Sequence, residues 1–218
     1  MTLLDFARGP AMFWAMTLLV IGIAWRLVGV VLLRRNRDRA TPRGDSQVVA
    51  GLRAVAMRSV PPHDLEKNIT FQHITGYAWH LGWFATFLLF GPHIPFIKDI
   101  LGFGWPGLPN AAILILAAIT LAILVTLLVR RMVHPVLKVI SDVDDYVSVL
   151  LACAPIVTGI VSYGHWFPRY YEMTLALHIL SVEALMVWLP FGKIFHCISS
   201  LPLRFQTGAQ YARRGVRA

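Results

Sequence analysis

Two histidines, His178 and His196, frame the stretch Leu175 to Leu203, LALHILSVEALMVWLPFGKIFHCISSLPL. They stand 18 residues apart. On one continuous helix that interval is about five turns, so both imidazoles leave the same face about 27 Å apart. A neutral imidazole is a good iron ligand, and two stacked imidazole sites on a bundle of apolar helices are what a dihaem b-type cytochrome needs. The partners come from an earlier apolar segment that carries His80 and His93. If the two segments run antiparallel, His80 falls at the level of His196 and His93 at the level of His178.

The weak point of this pairing is rotation. His80 and His93 are 13 residues apart, a rise of about 20 Å and a misalignment of about 140° on an ideal helix. Gly91 and Pro92 just before His93 can bend or unwind that turn, because proline removes a backbone bond and distorts what precedes it. His73, seven residues before His80, competes for the inner position. A single histidine in a membrane helix is usually a packing or hydrogen-bonded group, whereas four at matched depths point to ligation. His63 and His134, beside prolines in connections, read as solvated.

These histidines sit in a chain that is 57% hydrophobic and 14% charged, with mean hydropathy +0.64. That composition excludes an ordinary soluble domain and implies an all-α integral membrane protein. Five segments are long enough to cross a bilayer core of about 30 Å: residues 11–33, 72–94, 111–129, 144–163 and 174–195. Pro109-Asn110 reads as the stop and cap before the third. Asp142, Asp144 and Asp145 open the fourth and complement its dipole. The N-terminal run, led by Asp5 and followed by Arg34 and Arg35, reads as a retained span rather than a signal peptide. No internal repeat or second domain is expected.

The formal charge of +9 is concentrated in connections. Residues 34–70 hold eight Lys and Arg, the third connection three and the tail from Lys193 five, against Arg8, Lys98 and Arg169 on the other side. Sixteen against three places the N-terminus outside and the tail, 196–218, in the cytoplasm. Such charge speaks of membrane orientation, and no nucleic-acid motif accompanies it. Within the connection 34–70, Val48, Val49, Leu52, Val55 and Ala56 follow helical spacing, so a short helix is expected there, either on the membrane surface or packed on a partner. The outer connection 91–110 is rich in Gly and Pro and holds Trp105 at headgroup level. Cys153 and Cys197 are too few for a zinc site or disulfide framework, and no C-x-x-C-H occurs, so any haem is held non-covalently.

The segment LHILSVEALMVWLPFGKIFH, with a leucine-histidine pair, a Pro-Phe step, a basic residue and a second histidine 18 residues on, resembles the gamma subunit of respiratory nitrate reductase. It is also similar to the membrane cytochrome b subunits of heterodisulfide reductase and of sulfite-reductase-associated complexes. LLVRRMVHPVLKVISDVDDYVSVLLACAPIVTG follows the same family's run into its fourth helix. The resemblance implies five spans with two haem b groups between the second and fifth: His80 with His196 for the inner haem, and His178 with a second-span partner for the outer. The nitrate reductase pattern wants that partner at position 90, which is Phe here, so His93 is the substitute. It further implies electron transfer between quinol and a cytoplasmic iron–sulfur subunit that serves a catalytic subunit, in a prokaryotic cytoplasmic membrane. The basic connection and tail would face that partner or membrane lipid.

Of the outer titratable groups, Lys98, Asp99, His165, Arg169 and Glu172, Lys98 is the candidate for quinol and Arg169 for a haem propionate. Glu183 is a carboxyl at membrane depth, suited to a proton or quinol role or to an interhelical hydrogen bond. Two other classes compete: a membrane anchor with one haem or none, and a small proton-coupled transporter using Glu183 and the histidines.

Overall fold

The computed structural model describes residues 1–32, 41–44, 46–60 and 66–216. Arg34, Arg35, Arg37, Arg39, His63 and Arg217, which entered the charge and histidine reading, lie outside the described residues. The described chain is helical: α1 (Leu3–Phe6), a π-turn (Ala7–Ala11), α2 (Met12–Leu32), α3 (Gln47–Met57), α4 (Glu66–Leu89), α5 (His93–Leu101), α6 (Asn110–Val133), α7 (Pro135–Ile140), α8 (Val143–Tyr163), α9 (Tyr171–Trp188) and α10 (His196–Arg213). Among the described residues four stretches are long and apolar enough to cross a membrane: Leu3–Val30, Asn110–Val133, Val143–Tyr163 and Pro168–Trp188. The second expected span, α4, has the length, but Gln72, His73, Thr75 and His80 lower its hydropathy.

The chain divides into two units, residues 1–20 with 74–188 and residues 21–73 with 189–218. In the first, Ala117 and Leu124 of α6 meet Ala152, Cys153 and Ile156 of α8, and Trp79, Trp83 and Leu121 pack against them. Both ends of the antiparallel pair α6/α8 are tied. Asn110 Nδ2 donates to Tyr163 Oη at 2.8 Å at one end, and Arg131 pairs with Asp145 at 3.2 Å at the other. Asp142 caps α8 in a reciprocal box with Asp145, as its position predicts. The expected Pro109-Asn110 cap is corrected: Pro109 is the cap residue, no side chain caps α6, and the Asn110 amide serves Tyr163 instead. The far end of α9 is fixed by Trp188 Nε1, which donates to Asp144 at 3.0 Å.

In the second unit α3 lies along α10. Gly51 and Ala54 face Phe205 and Gly208, and a β-carbon on Gly208 would run into Ala54. Small residues on both helices let the backbones approach closely. A helix does form over the expected residues, but it packs along α10, with Val48, Val49 and Leu52 outward.

One reading is overturned. Leu175–Leu203 is not a single helix: α9 ends at Trp188, a turn containing Pro190 and Gly192 follows, and α10 begins at His196. Pro190 cannot donate to the ladder and disfavours helical backbone at Leu189. His178 and His196 thus sit on different helices, and the five-turn register of one continuous helix does not apply.

Candidate functional site

The expected second span also breaks, and the break assembles the site. α4 stops at Leu89 because Pro92 has no N–H and Gly91 accepts the bend. Five successive carbonyls from Phe87 to Gly91 each find a donor. Phe87 O accepts from His93 Nδ1 at 3.0 Å, and Leu88 O from Trp105 Nε1 at 2.8 Å. Leu89 O accepts from Leu108 N at 2.9 Å, Phe90 O from His93 N at 3.0 Å and Gly91 O from Ile94 N at 3.2 Å. The outer connection thereby folds back onto the end of α4 and satisfies it.

The break turns His93 onto His178. Their ring centroids are 6.1 Å apart and the planes differ by 9°. Phe90 stands edge-on to His93 at 5.1 Å and to Tyr163 at 4.9 Å, so the residue at position 90 buttresses the ring. Across the pair, Thr158 Oγ1 lies 3.2 Å from His178 Nδ1 and donates its own proton to Ala154 O at 2.7 Å. Its oxygen therefore accepts from Nδ1–H. Ser181 Oγ, 3.1 Å from Thr158, donates to His178 O at 2.7 Å. Gly159 lies against the ring: a β-carbon there would stand 3.1 Å from His178 Cε1.

These bonds decide the tautomers. A carbonyl only accepts, so the ring nitrogen facing it carries the proton. His93 donates through Nδ1 to Phe87, His80 through Nδ1 to Gly76 O at 2.6 Å, and His196 through Nδ1 to Lys193 O at 2.8 Å. In His93 and His178 the lone pair then sits at Nε2, and the acceptor on Nδ1–H orients the imidazole and raises its basicity, as the outer partner of a metal-bound histidine does. His80 is further held against Trp79, ring centroids 3.7 Å apart. His80 belongs to the first unit, His73 and His196 to the second.

The donor set fits a haem iron at the first pair. A separation of 6.1 Å between near-parallel rings leaves room for one metal atom bonded to a nitrogen of each at the about 2.0–2.1 Å typical of metal–imidazole bonds. Among the described residues no three His, Cys, Asp or Glu side chains converge as an all-protein metal cage requires. Two imidazoles complete a coordination sphere when a macrocycle supplies the other positions.

The secondary candidates lie elsewhere. Lys98, Asp99, His165, Arg169 and Glu172 are all exposed; His165 stacks on Tyr171 at 4.7 Å, and none of the five bonds to His93 or His178. Glu183 is 5% exposed, and its Oε1 has no hydrogen-bond partner among the described residues. Thr158, Gly159 and Trp105 carry parts of the site that the spacing of histidines does not reveal. A hydroxyl followed by glycine inside an apolar helix is the signal that marks the first two.

No protein-family model matches the chain, and no solved structure matches it. A protein of Nitratidesulfovibrio vulgaris, named only "Protein", is 25% identical over 219 residues, covering 96% of this chain and 94% of its own length. The likeness thus runs end to end.

Proposed function

We propose that this chain is a dihaem b-type cytochrome subunit of the nitrate reductase gamma kind, carrying electrons between quinol and a cytoplasmic iron–sulfur partner. The observation that supports it most is the His93–His178 pair, with parallel rings and both Nδ1 atoms engaged by oxygen acceptors. In this reading α4 and its continuation form a fifth span beside the four apolar helices. The N-terminus is outside and α10 is cytoplasmic, on the asymmetry of Lys and Arg. His93 and His178 hold the outer haem, while His80 and His196 as ligands of the inner haem rest on the sequence resemblance alone.

When bound, haem supplies a one-electron carrier whose potential depends on its axial ligands and their hydrogen bonds. The chain's own residues do the rest. Phe87 O and Thr158 Oγ1 keep the protons of His93 and His178 on Nδ1. Phe87 and Phe90 cover the His93 ring, while Gly159 leaves space for that of His178. The outer end then faces the exposed Lys98, which in this reading receives the quinol, and Arg169, which receives a propionate.

The test is reduction of the purified chain in proteoliposomes by a soluble quinol, followed at the α-band of haem b. Wild type is expected to reduce, and His178→Ala to lose quinol-dependent reduction. Unchanged reduction in His178→Ala contradicts the assignment, and a colourless wild type favours the anchor or transporter reading.

A further inference from the structure

The bond from Asn110 Nδ2 to Tyr163 Oη, 2.8 Å long, uses only part of what the two side chains offer. A phenol both accepts and donates, and a primary amide carries a carbonyl oxygen beside its N–H groups. Among the described residues the Tyr163 O–H finds no acceptor and Asn110 Oδ1 no donor. A tie between α6 and α8 needs one donor and one acceptor. Here one of each is left over, side by side, on two partly exposed residues.

The pair stands at the edge of the histidine site, within the same unit of the chain. Phe90 is edge-on to the Tyr163 ring at 4.9 Å and to the His93 ring at 5.1 Å, so one phenyl ring separates the phenol from His93. Asn110 Oδ1 lies against Gly91, where a β-carbon would stand 3.3 Å from it. The five carbonyls of the break already have donors, whereas Asn110 Oδ1 beside them does not. Leu108, bridged to Phe90 and 45% exposed, adds apolar surface.

A ligand that complements this pair donates one hydrogen bond and accepts another at a single polar atom. A propionate or a lipid phosphate only accepts, and Asn110 Oδ1 would repel either. A phenolic hydroxyl does both. Lys98 has donors and no acceptor, so it cannot take the hydrogen of a quinol O–H. We infer that Tyr163 and Asn110 recognise a hydroxyl of the quinol: Tyr163 O–H donates to its oxygen, and Asn110 Oδ1 accepts from its O–H. The inference rests on the quinol-oxidising dihaem reading above and names contacts for that reading's substrate.

The test follows haem reduction in the full chain in proteoliposomes against the concentration of a soluble quinol, with haem per chain measured alongside. Tyr163→Phe removes the donor. Asn110→Asp keeps the tie between the helices, because its carboxylate accepts from Tyr163 O–H, but consumes the spare donor. In both variants the half-saturating quinol concentration is expected to rise about three- to tenfold, the worth of one net hydrogen bond, with the limiting rate and haem content unchanged. If Tyr163→Phe does not fold, Asn110→Asp decides alone. An unmoved half-saturating concentration in Asn110→Asp, or a loss of haem or of limiting rate in its place, overturns the inference and leaves the pair as a helix tie that holds water. A wild type that is colourless, or that quinol does not reduce, is a different signature: it removes the reading on which the inference rests.

Discussion

Gly159 lies flush on the imidazole of His178, so close that a β-carbon would stand 3.1 Å from Cε1 and 3.4 Å from Nδ1. The ring is held from the same helix by Thr158, one residue earlier. A single dipeptide of α8 therefore sets both the position and the tautomer of His178.

Gly159→Ala is expected to lower stability by up to about 2 kcal/mol. Overpacking costs about 1–3 kcal/mol, and about 0.5–1 kcal/mol returns because alanine is the better helix residue. The ring must tilt, however, so the outer haem is lost or its spectrum altered while the inner remains. Redox titration resolving the two components checks this.

Thr158→Val removes the acceptor for His178 Nδ1–H at nearly constant volume. Loss of such an outer partner typically costs 10–100-fold in metal affinity. Haem titration of the apo chain is expected to show that loss at one site, and Thr158→Ser to restore it.

Trp105→Phe takes the donor from Leu88 O and loosens the fold-back that ends α4. A net hydrogen bond is worth about 0.5–1.5 kcal/mol, so the melting temperature in detergent should fall modestly. Trp166→Phe, at a ring 63% exposed, should leave it unchanged.

Glu183→Leu removes a buried carboxyl with an unpartnered oxygen and is expected to raise stability by about 1–3 kcal/mol. Glu183→Gln, still polar, should not. If both variants slow quinol-dependent reduction without altering haem content, the carboxyl serves a proton instead.

What the sequence made legible was local or periodic. Asp142 and Asp145 mark the start of α8 through charge and capping chemistry, and the histidines announce themselves because imidazole is rare in apolar helices. The juxtaposition of His93 with His178 was readable because Gly91-Pro92 offered a bend, although the ideal helix argued against it. Pro190 is equally visible, yet the 18-residue interval favours an unbroken helix through it, since that interval has meaning only while the helix is continuous. Asn110 is ambiguous because a side chain that suits a cap also suits a hydroxyl 53 residues away, and spacing cannot choose between them. Thr158 and Gly159 are not legible from their own segment, because their partner His178 comes from another helix.

The most direct test of the dihaem account is the amount of haem b per polypeptide, measured for wild type and for His93→Ala after purification in mild detergent. The account predicts two per chain in wild type and one in His93→Ala, the remaining component being the one that His196→Ala removes. Two haems persisting in His93→Ala, or none in wild type after reconstitution with haem, would contradict it.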